Sequence, residues 1–246
     1  MVNGAITDFF DIVKDVIARI EKEELEEIMT AAEEIFSTFS DDGLVHVFGT
    51  GHSHILAEEV FGRAGGFAPV NALLDEGLML HNGTKYSKLE KMEGYGEVLW
   101  NSYDISEKDT IIIISNSGVN AVPVEMALES VKEGTYTIAI TSTDYTKFLE
   151  TSHPSGKKLY QIADLVIDNK GVPGDAALNV DGLPQKVGPT STISGALILN
   201  SIFARTAEIM VQKGEQPPVF KSSNLDGADS RNEKLFEKYK SRVDYF

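Results

Sequence analysis

Two runs rich in β-branched residues, each turning through small residues straight into a helical pattern, constrain this chain most. The runs lie at residues 45–48 and 111–114, and the loops GTGHS and SNSGVN follow them at residues 49–53 and 115–120. A helix that begins where a strand ends leaves unpaired backbone N–H groups at its N-terminus, which favour an anion. Because serine hydroxyls add donors with little bulk, the two loops predict a split phosphate-binding site.

Apolar strand patterns alternate with helical patterns along most of the chain. The predicted strands are residues 44–48, 68–74, 110–114, 135–141 and 165–168, and the predicted helices are residues 52–62, 96–103, 122–133 and 193–213. This alternation is typical of a parallel sheet with helices on both faces. In such a fold, ligands bind at the carboxyl ends of the strands, and both loops lie there.

The chain divides into one main domain and two additions. Residues 1–40 form a predicted helical arm, because apolar residues recur in it at helical spacing between acidic ones. Its apolar stripe must pack on its own domain or on a second subunit, and we expect a partly intersubunit role. Residues 41–215 form the main domain, and residues 216–246 form a C-terminal extension that we expect to pack on it.

Composition excludes several classes of protein. The formal net charge of −16 opposes sequence-independent binding to nucleic acid or to anionic lipid. With no cysteine, the chain can form neither disulfides nor thiolate metal sites. No apolar run approaches the roughly 20 residues of a membrane span, and no basic segment precedes an apolar one at the start. We therefore expect a cytoplasmic protein that draws in an anionic ligand by local dipoles and hydroxyls.

Four motifs in order resemble the sugar isomerase (SIS) domain family. They are GTGHS at residues 49–53, SNSGVN at 115–120, Thr141 with Ser142, and PTST at 189–192, and the resemblance extends from about residue 44 to residue 213. The family implies a flavodoxin-like α/β three-layer sandwich with about five parallel strands. It also implies a sugar phosphate at the strand ends, a homodimer or homotetramer, and no cofactor.

Two subfamilies contribute to the resemblance. The run AEEVFGR at residues 57–63 is similar to the helix of phosphoheptose isomerases in which a glutamate moves a proton between C1 and C2, and this implies that role for Glu59. The run GPTST at 188–192 instead resembles arabinose 5-phosphate isomerases. Phosphoheptose isomerases carry a histidine in the last long helix, whereas residues 193–213 contain none and Asn200 falls near its place. The whole chain resembles bacterial SIS-domain proteins regarded as phosphosugar isomerases.

An aldose–ketose isomerase needs a base beside the carbonyl carbon and a group that moves protons between the oxygens. The candidate bases are Glu58, Glu59, His52, His54, His81, Asp75 and Glu76. On a helix that begins near His52, Glu59 lies seven positions later on about the same face, so we select Glu59 and His52 as the catalytic candidates. The structural alternative for Glu59 is an ion pair with Arg63 at i, i+4.

The remaining candidates are ligand-binding residues in the loops. We expect contacts from Gly51, His52, Ser53, Ser115, Asn116, Ser117, Gly118, Asn120, Thr141, Ser142, Thr190, Ser191 and Thr192. Helix capping uses the same donors, so capping and phosphate binding do not exclude each other. The turn-forming segments 171–175 and 224–232 suit sugar hydroxyls. We expect no metal site, because His52 and His54 point to different faces of a helix.

Three functions are compatible with these residues. The first is a phosphosugar isomerase that works through an enediol, which the context of Glu59 favours. The second is a non-catalytic sugar-phosphate sensor, and the third is another reaction on an amino-sugar phosphate, such as deamination or ether cleavage. The absence of a histidine from residues 193–213 favours the second and third.

Overall fold

The computed structural model describes residues 4–151 and 153–245, so the first three residues of the predicted arm and the last residue of the predicted extension lie outside it. Its helices are α1 Gly4–Glu23, α2 Leu25–Ser40, α3 His54–Val60, α4 Thr84–Leu89, α5 Tyr95–Trp100, α6 Ala121–Glu133, α7 Thr143–Lys147, α8 Ser191–Gln212 and α9 Ala228–Tyr239. Its strands are β1 Val45–Gly49, β2 Val70–Leu73, β3 Thr110–Ile114, β4 Tyr136–Thr141, β5 Leu165–Asp168, β6 Ala176–Leu178 and β7 Val187–Pro189.

Strands β1 to β5 form a parallel sheet in the order β2-β1-β3-β4-β5. Every residue of β1, β2 and β3 is buried, as expected of parallel strands that helices cover on both faces. The α/β sandwich with five parallel strands is therefore confirmed. The strand order reverses between β1 and β3, which is where a flavodoxin-like sheet opens a crevice for a ligand.

Two apolar cores lie on opposite faces of the sheet. Alternate residues of each strand point to opposite faces, so Val45 and Val47 pack with α1, α2, α3 and α8, whereas Phe48 packs with α5 and α6. The longest of these helices, α8, lies on the first face together with α2. This arrangement fixes β1 and β3 from both sides and holds the loops at their carboxyl ends in place.

The N-terminal arm consists of two helices, α1 and α2, that meet at Glu24. The helical spacing of the apolar residues in the arm fits both of them. Helix α2 packs on α8. Helix α1 contacts β6, and its Phe9 ring lies against Gly188 of β7. Ile6 and Phe10 are each 62% exposed and Ile17 is 37% exposed, so part of the α1 stripe faces outward. The expected packing of this stripe on a second subunit stays a prediction.

Three differences from the predicted elements bear on the site. The region 79–96 contains a short helix, α4, and strands β6 and β7 form an antiparallel hairpin after β5. The turn-forming segment 224–232 leads into α9, which begins at Ala228. Helix α4 and strands β6 and β7 are short, and packing on the rest of the fold decides such elements more than local sequence does.

The C-terminal extension runs along the β2 side of the sheet. Phe220 exchanges backbone hydrogen bonds with Gly65 and Gly66 at 2.9 Å each. At the far end, the Asp244 backbone N–H donates to Asn71 on β2 at 3.0 Å, and Arg242 donates to Asp109 at 2.7 Å. The extension is thus tied to the main domain at both of its ends.

Candidate active site

A cavity of about 250 Å³, here called the cradle cavity, lies where the two predicted loops meet. Strands β1 and β3 are neighbours, so the loops that follow them leave the same edge of the sheet side by side. The lining residues are Thr50, Gly51, His52, Ser53, Tyr86, Glu90, Ser115, Asn116, Ser117, Asn120, Tyr145, Gly174 and Asp175. Seven of the thirteen expected ligand-binding residues therefore share one cavity: Gly51, His52, Ser53, Ser115, Asn116, Ser117 and Asn120.

The first loop turns tightly from β1 into α3. Residues Gly51–Ser53 form a single 3-10 turn, and α3 continues from His54. Gly51 has φ +57°, and a Cβ there would lie 2.9 Å from the Tyr86 ring. Glycine is therefore required twice at this position, by the backbone angle and by the approach of the ring. His52 is exposed at the cavity, where its ring can reach a ligand.

The second loop has its carbonyl oxygens turned away from the cavity. The Ser117 carbonyl accepts from Thr146 at 2.7 Å, the Gly118 carbonyl from the Leu159 N–H at 2.9 Å, and the Val119 carbonyl from Thr151 at 3.2 Å. In a trans peptide the next N–H points opposite to the carbonyl. The N–H groups that follow therefore point away from these donors. The Gly118 N–H donates to the hydroxyl of Ser115, which lines the cavity, at 3.2 Å, and a run of N–H groups on that side suits an anion.

Asn116 is held in place by the residues that directly follow β4 and β5. Its backbone carbonyl accepts from the Ser142 N–H at 3.1 Å, and its side-chain oxygen accepts from Asn169 at 3.1 Å. A second, very small cavity of about 10 Å³ continues past Asn116 to Ser191 and Thr192. It shares His52, Ser53 and Asn116 with the cradle cavity, so it extends the same site towards α8.

Thr141, Ser142 and Gly118 lie behind the lining of the cradle cavity. Thr141 and Ser142 are fully buried, and the Ser142 hydroxyl accepts from the Tyr145 N–H at 3.2 Å as the N-cap of α7. Gly118 has φ +63°, and a Cβ there would lie 2.9 Å from the Thr141 hydroxyl oxygen. These three residues shape the second loop and position Tyr145, which does line the cavity.

The N-terminus of α8 is capped by Asp175. This carboxylate accepts from the N–H groups of Thr190 and Ser191 at 3.1 and 2.9 Å and from the Ser191 hydroxyl at 2.7 Å. The Thr190 side chain is buried, away from both cavities. Of the three expected contacts near α8, Ser191 and Thr192 therefore reach only the small cavity, and Asp175 occupies donors that a phosphate would otherwise use.

Glu59 lies outside both cavities. It forms an ion pair with Arg63, and its side chain is 36% exposed. Arg63 in turn lines a separate hollow of about 120 Å³ together with Asn200, whose side chain donates to the Ala196 carbonyl at 2.9 Å. Along the helix axis, Glu59 stands about 9 Å from Ser53, the length of six helical residues.

A larger open groove of about 630 Å³ lies elsewhere, between residues 62–64 and the C-terminal extension. It shares no lining residue with the cradle cavity. Asn232, which belongs to the segment that we expected to suit sugar hydroxyls, lines this groove and pairs through its side chain with the backbone of Lys221. The segment 171–175, in contrast, supplies Gly174 and Asp175 to the cradle cavity.

Sequence reasoning missed four residues that line the cradle cavity: Thr50, Tyr86, Glu90 and Tyr145. Tyr86 and Glu90 lie four positions apart on and directly after α4, a spacing that points both to one side. Burial raises the pKa of the Glu90 carboxyl, and hydrogen bonding by Thr50, the Lys91 charge and hydrogen bonding by Asn120 only partly oppose this effect. No helix was predicted over residues 79–96, so the sequence did not show that Tyr86 and Glu90 face the same side.

The cradle cavity is lined by dipoles and acidic groups. In the part of the chain that the structure describes, none of its lining residues is a lysine or arginine, whereas Glu90 and Asp175 are carboxylates. Nor do three or more His, Asp or Glu side chains converge in residues 4–151 and 153–245 so that they could hold a metal ion. No helix among these residues has the length and apolar character needed to cross a bilayer.

Comparison with known proteins places this fold in a family. A family model described as SIS domain matches residues 8–142, which is more than half of the chain. The chain belongs to the SIS domain family. It is also 41% identical to the UPF0309 protein of Halalkalibacterium halodurans, over 97% of this chain and 96% of that protein. A UPF0309 protein of Geobacillus kaustophilus is 41% identical over 97% of this chain and 95% of its own length.

Solved structures share the fold at low sequence identity. The phosphoheptose isomerase of Neisseria gonorrhoeae superposes with a TM-score of 0.57 at 17% identity, covering 85% of this chain and 100% of that one. A phosphoheptose isomerase from Francisella tularensis gives 0.56 at 15% identity, covering 82% and 96%. At such identities the likeness establishes the SIS fold alone.

Proposed function

We propose that this SIS-domain protein binds a sugar phosphate in the cradle cavity and interconverts its aldose and ketose forms through an enediol. The observation that carries the proposal is the meeting of the loops after β1 and β3 in one cavity at the strand-order reversal. That is where a sheet of this order accepts a ligand. The similarity to phosphoheptose isomerases supports the same reading at the level of the fold.

The phosphate is assigned to the second loop and to the start of α3. Ser115, Ser117 and Ser53 offer hydroxyl donors, and the Asn120 N–H, which points opposite to the Val119 carbonyl, offers a backbone donor. Helix α6, which begins directly after Asn120, adds its dipole. The sugar then extends towards the first loop, with His52 and Tyr86 beside it, and we extend the proposal to a cytoplasmic homo-oligomer.

Two carboxylates compete for the role of base. Glu59 is the residue to which the family resemblance points, and its helix begins beside the cavity. Glu90 lines the cavity itself. Proton transfer between the two oxygens is assigned to His52, whose exposed ring faces the same space.

Binding without turnover is the alternative that one observation favours. At the place where phosphoheptose isomerases carry a histidine, Asn200 lies on α8 and donates to the Ala196 carbonyl. An amide cannot exchange a proton near neutral pH. A protein that keeps the phosphate site and lacks the chemistry would act as a sensor.

The first test is a thermal-shift screen of the full chain. The panel contains sedoheptulose 7-phosphate, fructose 6-phosphate, arabinose 5-phosphate, their unphosphorylated parents and inorganic phosphate. A ligand at about a hundred times its Kd adds about 2.7 kcal/mol to the free energy of unfolding, so the melting temperature rises visibly. We expect a rise with phosphorylated sugars only, and a loss of that rise in Ser117→Ala but not in Ser155→Ala, an exposed serine outside the cavity.

The second test separates an isomerase from a sensor. Phosphorylated sugars that raise the melting temperature are incubated with the protein in D₂O, and deuterium on C1 or C2 is followed by NMR. An enediol enzyme exchanges that proton with solvent, so we expect incorporation. Binding without incorporation would identify a sensor, and no thermal shift with any phosphate would overturn the proposal as a whole.

A further inference from the structure

Glu90 joins the two loops of the cradle cavity. Its carboxylate accepts a hydrogen bond from the Thr50 hydroxyl in the first loop at 2.9 Å, and the Asn120 side chain of the second loop is near enough to favour its ionised form. Its backbone carbonyl accepts from the Val122 N–H in the first turn of α6 at 3.0 Å. The carboxylate is therefore fixed by both halves of the site, as a preorganised group must be.

The two carboxylates of the cavity differ in what already occupies them. Asp175 accepts three hydrogen bonds from Thr190 and Ser191 and serves as the cap of α8. Glu90 accepts one hydrogen bond from the Thr50 hydroxyl, and the neighbouring Lys91 charge and Asn120 side chain also favour its ionised form. A carboxylate with one oxygen bound in this way keeps its orientation and still has acceptor capacity for a substrate proton.

We propose that Glu90 is the catalytic base of the isomerisation proposed above, in place of Glu59. The Glu90 carboxylate takes the proton from the carbon beside the carbonyl, and the electrons of that C–H bond form the double bond of the enediol. The former carbonyl oxygen takes up a proton, which His52 supplies. Glu90 then returns its proton to the former carbonyl carbon while the neighbouring hydroxyl gives its proton to His52, so no further reactant is needed.

The surroundings of Glu90 suit this role. Burial raises the pKa of Glu90, which strengthens it as a base. A bound phosphate dianion on the neighbouring loop acts in the same direction, because a second negative charge disfavours the ionised carboxylate. General bases work best with a pKa near the working pH, so both effects move Glu90 towards that range.

Glu59 is placed less well for proton abstraction in this chain. Its carboxylate is paired with the Arg63 guanidinium at i, i+4, which holds it towards Arg63 on the surface of α3. It lines neither the cradle cavity nor the small cavity beside it. A ligand seated on the serine loops would have to extend about 9 Å along α3 to reach it.

The test is deuterium exchange in D₂O with the sugar phosphate that the thermal-shift screen selects. We expect Glu90→Gln to lower exchange about 10²–10⁴-fold, the range of a general base, while the thermal shift with the same sugar phosphate is kept. Glu93→Gln is the matched control, because this exposed carboxylate lies three residues away and outside the cavity. Glu90→Ala should regain part of the exchange when formate is added, since formate can replace the missing carboxylate.

The possible outcomes distinguish a failure of the Glu90 role from a failure of the isomerase proposal on which it rests. Wild-type protein that binds phosphorylated sugars without any exchange would overturn the isomerase proposal, and the role of Glu90 with it. Exchange that persists in Glu90→Gln but disappears in Glu59→Gln would overturn the role of Glu90 alone. A Glu90→Gln variant that melts early and binds no phosphate would indicate a structural role, and a failure of formate to restore exchange in Glu90→Ala would confirm that reading.

Discussion

At the scale of single residues, a buried carboxylate far from the cradle cavity holds together the opposite end of the sheet. Asp109, directly before β3, is fully buried on its side chain and accepts from the Leu44 N–H at 2.7 Å and from the Ser106 N–H at 2.8 Å. Arg242 of the C-terminal extension donates to it at 2.7 Å, and the His46 ring lies 3.5 Å away. One side chain thus links β1, β3 and the chain end.

Asp109→Asn should destabilise the protein strongly at neutral pH. The amide cannot accept as the carboxylate does, and it leaves Arg242 with only the exposed Asp104 at 3.6 Å, so we expect a loss of about 3 kcal/mol in the free energy of unfolding. Urea denaturation of wild type and variant measures the difference. A loss of less than about 1 kcal/mol would mean that the Arg242 contact stabilises little, as exposed ion pairs do.

The same carboxylate gives the stability a definite dependence on pH. Burial alone would raise the pKa of Asp109, but His46, the Leu44 N–H and Arg242 together hold it below its usual range. A lowered folded-state pKa stabilises the protein above the ordinary value of about 3.9, and this stabilisation is lost as the pH falls through and below that value. We therefore expect the gap between wild type and Asp109→Asn to narrow on acidification below about pH 4. A gap that stays constant with pH would contradict this.

At the scale of elements, a buried lysine joins the N-terminal arm to the end of β5, in addition to the packing of α2 on α8. Lys170 follows β5 and is 7% exposed on its side chain. Its ammonium contacts Glu24 at the junction of α1 and α2, Glu23 at 3.1 Å and Asp168 at 3.5 Å. Burial alone would lower the pKa of Lys170, but these carboxylates hold it above its usual value, so the lysine is charged at the junction.

Lys170→Met should loosen the arm, because it leaves the buried carboxylate of Glu24 without its cation. Removing one partner of a buried pair costs about 3–5 kcal/mol, and removing both costs much less. We expect Lys170→Met with Glu24→Gln to regain part of the stability in urea denaturation. Lys132→Met, which removes an exposed pair with Glu129, is the control and should leave the stability unchanged. If Lys170→Met and the double variant lose the same stability, the unpaired Glu24 carboxylate is not the cause of the loss.

The sequence predicted the long elements and the loops between them better than it predicted the walls of the site. Residues 110–114 and 165–168 are strands as predicted, because both are short runs of β-branched and apolar residues, and residues 110–114 are buried throughout. The loop at 115–120 was recognised through its serines and glycine. Tyr86 and Glu90 were not, because α4 is short and its place depends on contacts with β1 and α6 that no local pattern encodes.

A helix start does not by itself identify a ligand contact. The hydroxyls of residues 190–192 gave the same signal as those of the second loop, yet Asp175 caps α8 and occupies two of its N–H groups. Asp175 lies 15 residues before Thr190, in a segment whose turn residues do not reveal where it folds back. Capping partners of this kind become visible only in three dimensions.

At the scale of the whole molecule, the negative net charge of the protein repels the anionic sugar phosphate that we propose as its ligand. The chain carries a formal net charge of −16, and the lining residues of the cradle cavity that the structure describes include no lysine or arginine. The long-range field therefore repels a phosphate, and attraction begins only at the N–H groups, the hydroxyls and the α6 dipole. Short-range donors of this kind are hardly affected by dissolved ions, whereas the repulsive field is screened.

This balance predicts an unusual response to salt. When sodium chloride rises from about 10 mM to about 0.2 M, the screening length falls from about 30 Å to below 10 Å, so the Kd of the selected sugar phosphate should stay constant or decrease. Isothermal titration calorimetry measures it, with the unphosphorylated sugar as reference. A steep increase in Kd would instead show that a cation reaches the phosphate. Lys85 and Lys88 on α4 are exposed near Tyr86 and Glu90, and Lys85→Met and Lys88→Met would then identify which one moves in.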